Sequence, residues 1–95
     1  MDNIVIETLD APQAIGTYSQ GIKSGHLVFT SGQIPLNPKT GELINGDFKM
    51  EISQVLTNLN TVLKSGGSSL KKAVKLTVFL TDLSYNSVVM RLIVK

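Results

Sequence analysis

The period of the apolar residues changes at Asp47, and that change divides the chain. From there on Ile52, Val55, Leu56, Leu59, Val62 and Leu63 recur at three- and four-residue steps, which marks a helix with one apolar stripe. Asp47 is placed to cap its start, and Gly66-Gly67 to stop it. A stripe of that width needs an apolar surface to lie on, and the short β-rich runs on either side are the candidates.

Ile4-Val5-Ile6 reads as a short strand, and Ala11-Pro12 with Gly16 sets a loop before Tyr18. Gly21-Ile22-Lys23-Ser24 and Leu27-Val28-Phe29-Thr30-Ser31 read as two strands joined at Ser24-Gly25-His26, a hairpin. Between Pro35 and Gly46 two prolines, two glycines and two asparagines predict a turn-rich surface loop. Ala73 to Thr81 alternates and is rich in valine, threonine and phenylalanine, so it is expected to be a long strand in the same sheet as the hairpin. Asp82 or Ser84 then caps a second helix covering Val88 onward. The predicted order is βββαβα: an α+β sandwich of two layers, helices on one face of a mostly antiparallel or mixed sheet, in one domain over residues 1–95.

With 95 residues the chain is near the size at which a lone domain gains from a partner. It holds no cysteine, which removes disulfide and thiolate chemistry and fits a reducing interior. A formal net charge of +2 from scattered lysines argues against a nucleic-acid surface. The N-terminus Met1-Asp2-Asn3-Ile4-Val5-Ile6-Glu7 lacks a signal-peptide core, and no run approaches the roughly 18 apolar residues of a membrane span. A cytoplasmic protein without a membrane partner is expected.

Few side chains offer chemistry. His26, the single histidine, falls in the hairpin turn with no serine or carboxylate partner in a recognisable pattern, and reads as a solvent-exposed turn residue. Lys71, Lys72 and Lys75 read as a solvated face, and Gly66-Gly67-Ser68-Ser69 lacks the spacing and lysine of a phosphate-binding loop. Ser31 stands at a strand end beside Gly32, where backbone can approach a ligand, and Tyr18 follows Gly16. Taken alone, a loop tyrosine is ordinarily a packing residue and a strand-end serine a turn former.

Two ordered segments change that balance. Ala11-Pro12-Gln13-Ala14-Ile15-Gly16-Thr17-Tyr18-Ser19-Gln20 and Leu27-Val28-Phe29-Thr30-Ser31-Gly32-Gln33-Ile34-Pro35-Leu36 together resemble the RidA/YjgF family of small imine-hydrolysing proteins. The resemblance continues through Pro38-Lys39-Thr40-Gly41-Glu42-Leu43, Gln54-Val55-Leu56-Thr57-Asn58-Leu59, Gly66-Gly67-Ser68-Ser69-Leu70 and Val74 to Leu83, covering about residues 3–88. It implies a chorismate-mutase-like fold, with two further strands that are absent here, and a homotrimer with clefts between chains. It implies that Tyr18, Ser31 and Gly32 line such a cleft, that the substrate is a short 2-imino acid, and that no bound cofactor is needed. No metal site is expected.

Hydrolysis of a 2-imino acid calls for a cation on the carboxylate, a positioned water and a group that manages protons. The family supplies an arginine from its fifth strand and a glutamate near its C-terminus, and neither has a counterpart here. Arg91, the single arginine, belongs to the unmatched tail and takes over no role. The chain is therefore expected to be weak or inactive as it stands. Met90-Arg91 can be written ATGAGG, which, read one nucleotide earlier after an A, gives Asn-Glu. A frameshifted ending of a longer family gene is the expectation, and a genomic read across codons 84 to 95 tests it. Two other classes stand beside the imine deaminase: an inactive structural or interaction remnant, and an RNA-directed ribonuclease or translation inhibitor.

Overall fold

A computed structural model of the protein describes residues 3–93. Three short strands, β1 (Asn3–Ile6), β2 (Gly21–Ser24) and β3 (Leu27–Thr30), form an antiparallel sheet in the order β1-β2-β3. Helix α1 (Phe48–Ser65) lies on one face of it, and two single-turn 3-10 helices (Leu70–Lys72 and Leu83–Tyr85) lead to α2 (Asn86–Ile93). The α+β class and the two layers are those expected.

The hairpin is set by local chemistry. Ser24 pairs with Leu27, leaving a two-residue loop whose Gly25 has φ +59° while His26 does not take positive φ, the arrangement of a II′ turn. In the resulting register Ile6, Gly21, Val28 and Thr30 share the helix-facing side, and Val5, Ile22, Leu27 and Phe29 the other. Gly21 is the point of closest approach: a Cβ there would sit 3.0 Å from both Val62 Cγ1 and the Phe29 carbonyl oxygen. Val62, Ile6 and Ala11 form the buried cluster, with Val28 packed against it.

Helix α1 begins and ends as its sequence implies. The Asp47 carboxylate accepts from the Lys49 N–H at 2.9 Å. At the other end Gly67 takes φ +86°, the Gly67 N–H donates to Lys64 O at 3.0 Å and the Ser68 N–H to Leu63 O at 2.8 Å, which is the Schellman pattern. Residue 58 departs from the apolar stripe. Asn58 is fully buried, donates through Nδ2 to the carbonyls of Ile34 (3.2 Å) and Leu36 (3.0 Å), and accepts from Gln54 Nε2 at 2.9 Å. It thereby fastens the loop after β3 to the helix. That loop is itself tightly turned, with Leu36 bridging to Leu43 and Asn37 Oδ1 accepting from the Lys39 N–H at 2.8 Å.

The second helix starts earlier than Val88. Asp82 caps the 3-10 turn that feeds it, accepting from the Ser84 N–H at 2.9 Å. The Ser84 hydroxyl, and then that N–H, hold the Asp82 carboxyl below its ordinary value, so the cap persists as pH falls until it passes beneath the usual carboxylate range. Phe48 and Tyr85 stack with centroids 4.3 Å apart and planes 20° from parallel, and Val89 is buried between α2 and the rest. Of the tail, Val94 and Lys95 lie outside the described residues.

Ala73 to Thr81 corrects the expectation of a fourth strand. The segment joins no ladder, and Val74 (91%) and Phe79 (93%) are almost fully exposed. Alternation and β-branching favour an extended backbone, yet a strand exists only where a neighbour accepts its hydrogen bonds, and none of the described strands pairs with it. Amide hydrogen exchange is expected to show residues 74–80 exchanging near unprotected rates while 21–30 are protected. Val62→Ala is expected to lower stability by about 2 kcal/mol, measured from the urea midpoint.

Candidate functional site

The end of the hairpin gathers the residues singled out by sequence. Beyond the last β2–β3 rung at Gly21 and Thr30, pairing continues one step: the Ser31 N–H donates to the Gln20 carbonyl at 3.0 Å, and the Ser31 hydroxyl donates to the same oxygen at 3.2 Å. Tyr18 lies two residues before Gln20 and is about half exposed, at 53%. Gly32 follows Ser31, is exposed, and would have no atom within 4 Å of a Cβ. The three therefore stand at one end of the sheet, near solvent, with space around Gly32.

What holds that end in place is Gln20, the last residue of the first family-like segment. Its side chain is 3% exposed. Nε2 donates to the carbonyls of Pro12 (2.7 Å), Thr8 (3.0 Å) and Ala11 (3.3 Å), and Oε1 accepts from the Thr8 N–H at 2.7 Å. One amide thus satisfies the backbone of the loop that follows β1 and ties it beneath the segment bearing Tyr18. A buried amide of this kind costs its desolvation unless every group is paired, and here each is.

Tyr18, Ser31 and Gly32 themselves offer neutral hydrogen-bonding groups. Among the described residues no three histidine, cysteine, aspartate or glutamate side chains come together as a metal site, and no helix is long and apolar enough to cross a membrane. Arg91 is folded against its own helix, its Nε 3.4 Å from Ser87 O. Two concavities lie elsewhere. One of about 280 Å³ runs along α1 past Ile44, Met50 and Gln54, and one of about 520 Å³ lies between Leu70–Leu76 and Ile93. Neither includes Tyr18, Ser31 or Gly32, and Tyr18 and Gly32 are exposed at the strand end.

The family described as Endoribonuclease L-PSP matches residues 8–94, a span that includes this strand end and runs past Val88 into the tail. The chain belongs to the RidA/YjgF family. A RutC family protein of Pyrococcus horikoshii is 49% identical over 80 residues, covering 84% of this chain and 64% of the relative. The 2-iminobutanoate/2-iminopropanoate deaminase of Escherichia coli is 44% identical over 79 residues, covering 83% of this chain and 61% of the relative. A crystal structure of a conserved Rid-family protein from Yersinia pestis superposes with a TM-score of 0.91 at 43% identity, covering 96% of this chain and 72% of that one. The chain spans less than two thirds of the length of these curated relatives.

Replacing Gln20 by Leu keeps its bulk and strands the Thr8 N–H and the Pro12 carbonyl, so Gln20→Leu is expected to destabilise the chain by about 1–3 kcal/mol. Gln13→Ala, at an exposed amide that also reaches the Thr8 and Ala11 carbonyls, is expected to change stability by less than about 0.5 kcal/mol. Urea unfolding of the two variants checks the contrast.

Proposed function

We propose that this chain carries the hairpin-end portion of a site that hydrolyses short 2-imino acids, of the 2-iminobutanoate and 2-iminopropanoate class, to 2-keto acids and ammonium. The observation that supports it most is the likeness to the Escherichia coli deaminase of that name, together with a family match that includes Tyr18, Ser31 and Gly32. In the reaction water adds to the C=N carbon, the nitrogen takes up protons and leaves as ammonium, and the carbon keeps the water oxygen as a carbonyl. No redox partner or cofactor is required for that balance. Tyr18 and Ser31 contribute orientation through their hydroxyls, and the Gly32 N–H a further donor.

Assembly belongs to the same proposal. Val5 (52%), Leu27 (52%) and Phe29 (57%) are exposed on the side of the sheet that α1 leaves uncovered, an apolar face for neighbouring chains, and a homotrimer would give the open strand end its walls. Sedimentation at micromolar concentration tests this, and a clean monomer contradicts it.

The family description as an endoribonuclease favours one second reading, an RNA-directed activity. Against it stand the net charge of +2 and a lone His26 in the hairpin turn, far in sequence from any carboxylate partner at the site. RNA binding that falls steeply with salt would favour it.

Release of 2-oxobutanoate from 2-iminobutanoate generated in situ is the direct assay. A chain extended to the length of its relatives is expected to outpace the 95-residue chain by roughly thirty- to several-thousand-fold, the worth of about 2 to 5 kcal/mol from a buried charge contact on the carboxylate. In the extended chain Tyr18→Phe and Ser31→Ala are expected to lower turnover with the melting temperature little changed. Equal rates for the two lengths contradict the first expectation, and a large fall in melting temperature at unchanged turnover contradicts the second.

A further inference from the structure

We infer that Asn45-Gly46 is a site of spontaneous covalent change, at which the Gly46 main-chain nitrogen displaces the Asn45 side-chain amide as ammonia and water then leaves aspartate or isoaspartate at residue 45. The site is separate from the proposed imine site. Ring closure of this kind needs an asparagine whose main chain is free to rotate and a following N–H that is neither bonded nor screened by a side chain. Asn45-Gly46 is the single Asn-Gly pair of the chain, and it fills a two-residue gap between fixed points. Before it, the Ile44 N–H donates to the Pro35 carbonyl at 2.8 Å. After it, the Asp47 carboxylate caps α1 by accepting from the Lys49 N–H at 2.9 Å. Between these points Asn45 and Gly46 are exposed and belong to no helix or ladder. The Gly46 N–H has no main-chain acceptor among the described residues, and nothing lies within 4 Å of where a Cβ would stand.

The other asparagines are each held back. Asn37 precedes Pro38, which has no N–H to lose, and its Oδ1 accepts from the Lys39 N–H at 2.8 Å. Asn58 is fully buried with its amide paired, and Asn60 Oδ1 accepts from the Leu70 N–H at 2.9 Å. The backbones of Asn3 and Asn86 are set by β1 and α2. At Asn45 a base removes the Gly46 N–H proton, the bond from Gly46 N to Asn45 Cγ forms, and the Cγ–Nδ2 bond breaks as Nδ2 takes up a proton and leaves as ammonia. Water then opens the five-membered ring. Attack at Cγ gives aspartate, and attack at the main-chain carbonyl gives isoaspartate, whose backbone runs through the former side chain and is one methylene longer. By either route a neutral amide becomes a carboxylate, which takes the formal net charge from +2 to +1.

The test incubates the 95-residue protein, its Asn45→Gln variant and a synthetic peptide of residues 43–48 in mildly alkaline heavy-oxygen water, with circular dichroism showing the proteins folded throughout. Ion exchange follows the acidic product, and mass mapping of protease fragments locates the heavy oxygen. The expected result is label confined to the fragment holding residue 45, in two products of equal mass, at a rate within about tenfold of the peptide's, a barrier difference of at most about 1.4 kcal/mol. Unfolded molecules are scarce in a folded sample, so a rate that close to the peptide's belongs to the native loop. Asn45→Gln, which calls for a larger ring and leaves Gly46 unaltered, is expected to lose the label. A rate more than about tenfold below the peptide's overturns the inference. Label that persists at the same fragment in Asn45→Gln, or that appears equally at the Asn3 and Asn86 fragments, overturns it as well.

Discussion

Val62 resting on Gly21 is the contact on which the rest of the structure depends. The Val62 side chain is fully buried, and the sheet comes this close only because residue 21 has no side chain to hold it off. Ile6 from β1, Ala11 from the following loop and Val28 from β3 close around the same point, so one helical residue gathers three separate stretches of chain. With few residues fully buried, a loss there is felt by the whole domain.

Two buried amides translate that packing into a defined site. Asn58, on the face of α1 that also carries Val62, holds the carbonyls of Ile34 and Leu36, which fixes the chain just after Gly32. Gln20 holds Thr8, Ala11 and Pro12, which fixes the chain just before Tyr18's neighbours enter the sheet. The hydroxyl of Ser31 is oriented between the two through the Gln20 carbonyl. Polar groups buried with all partners satisfied specify one arrangement more sharply than apolar packing does.

Elements whose cause is local were legible in the sequence. The Gly25 turn, the Asp47 cap and the Gly66-Gly67 stop act within a few residues of themselves, and the structure places each where the residue pattern does. Ala73 to Thr81 was not legible, because its pattern specifies extension while pairing depends on a neighbour remote in sequence. Gln20 and Asn58 escaped for a related reason: their partners are carbonyls 8 to 24 residues away, which carry no side-chain signature. Asn58 did leave one trace, a polar residue three positions after Val55 and four before Val62, in line with the apolar stripe. The placement of Tyr18, Ser31 and Gly32 at one strand end followed from the hairpin register, whereas their role came from the family resemblance.

The central claim is that ligand chemistry belongs to the hairpin end and not to the two concavities beside α1 and α2. Amide chemical-shift mapping with 2-oxobutanoate at millimolar concentration separates these places. Shifts concentrated at Tyr18, Gln20, Ser31 and Gly32 are the predicted result. Shifts concentrated at Met50, Gln54 and Thr57, or at Lys71, Val74 and Leu76, with the hairpin end unmoved, would contradict it.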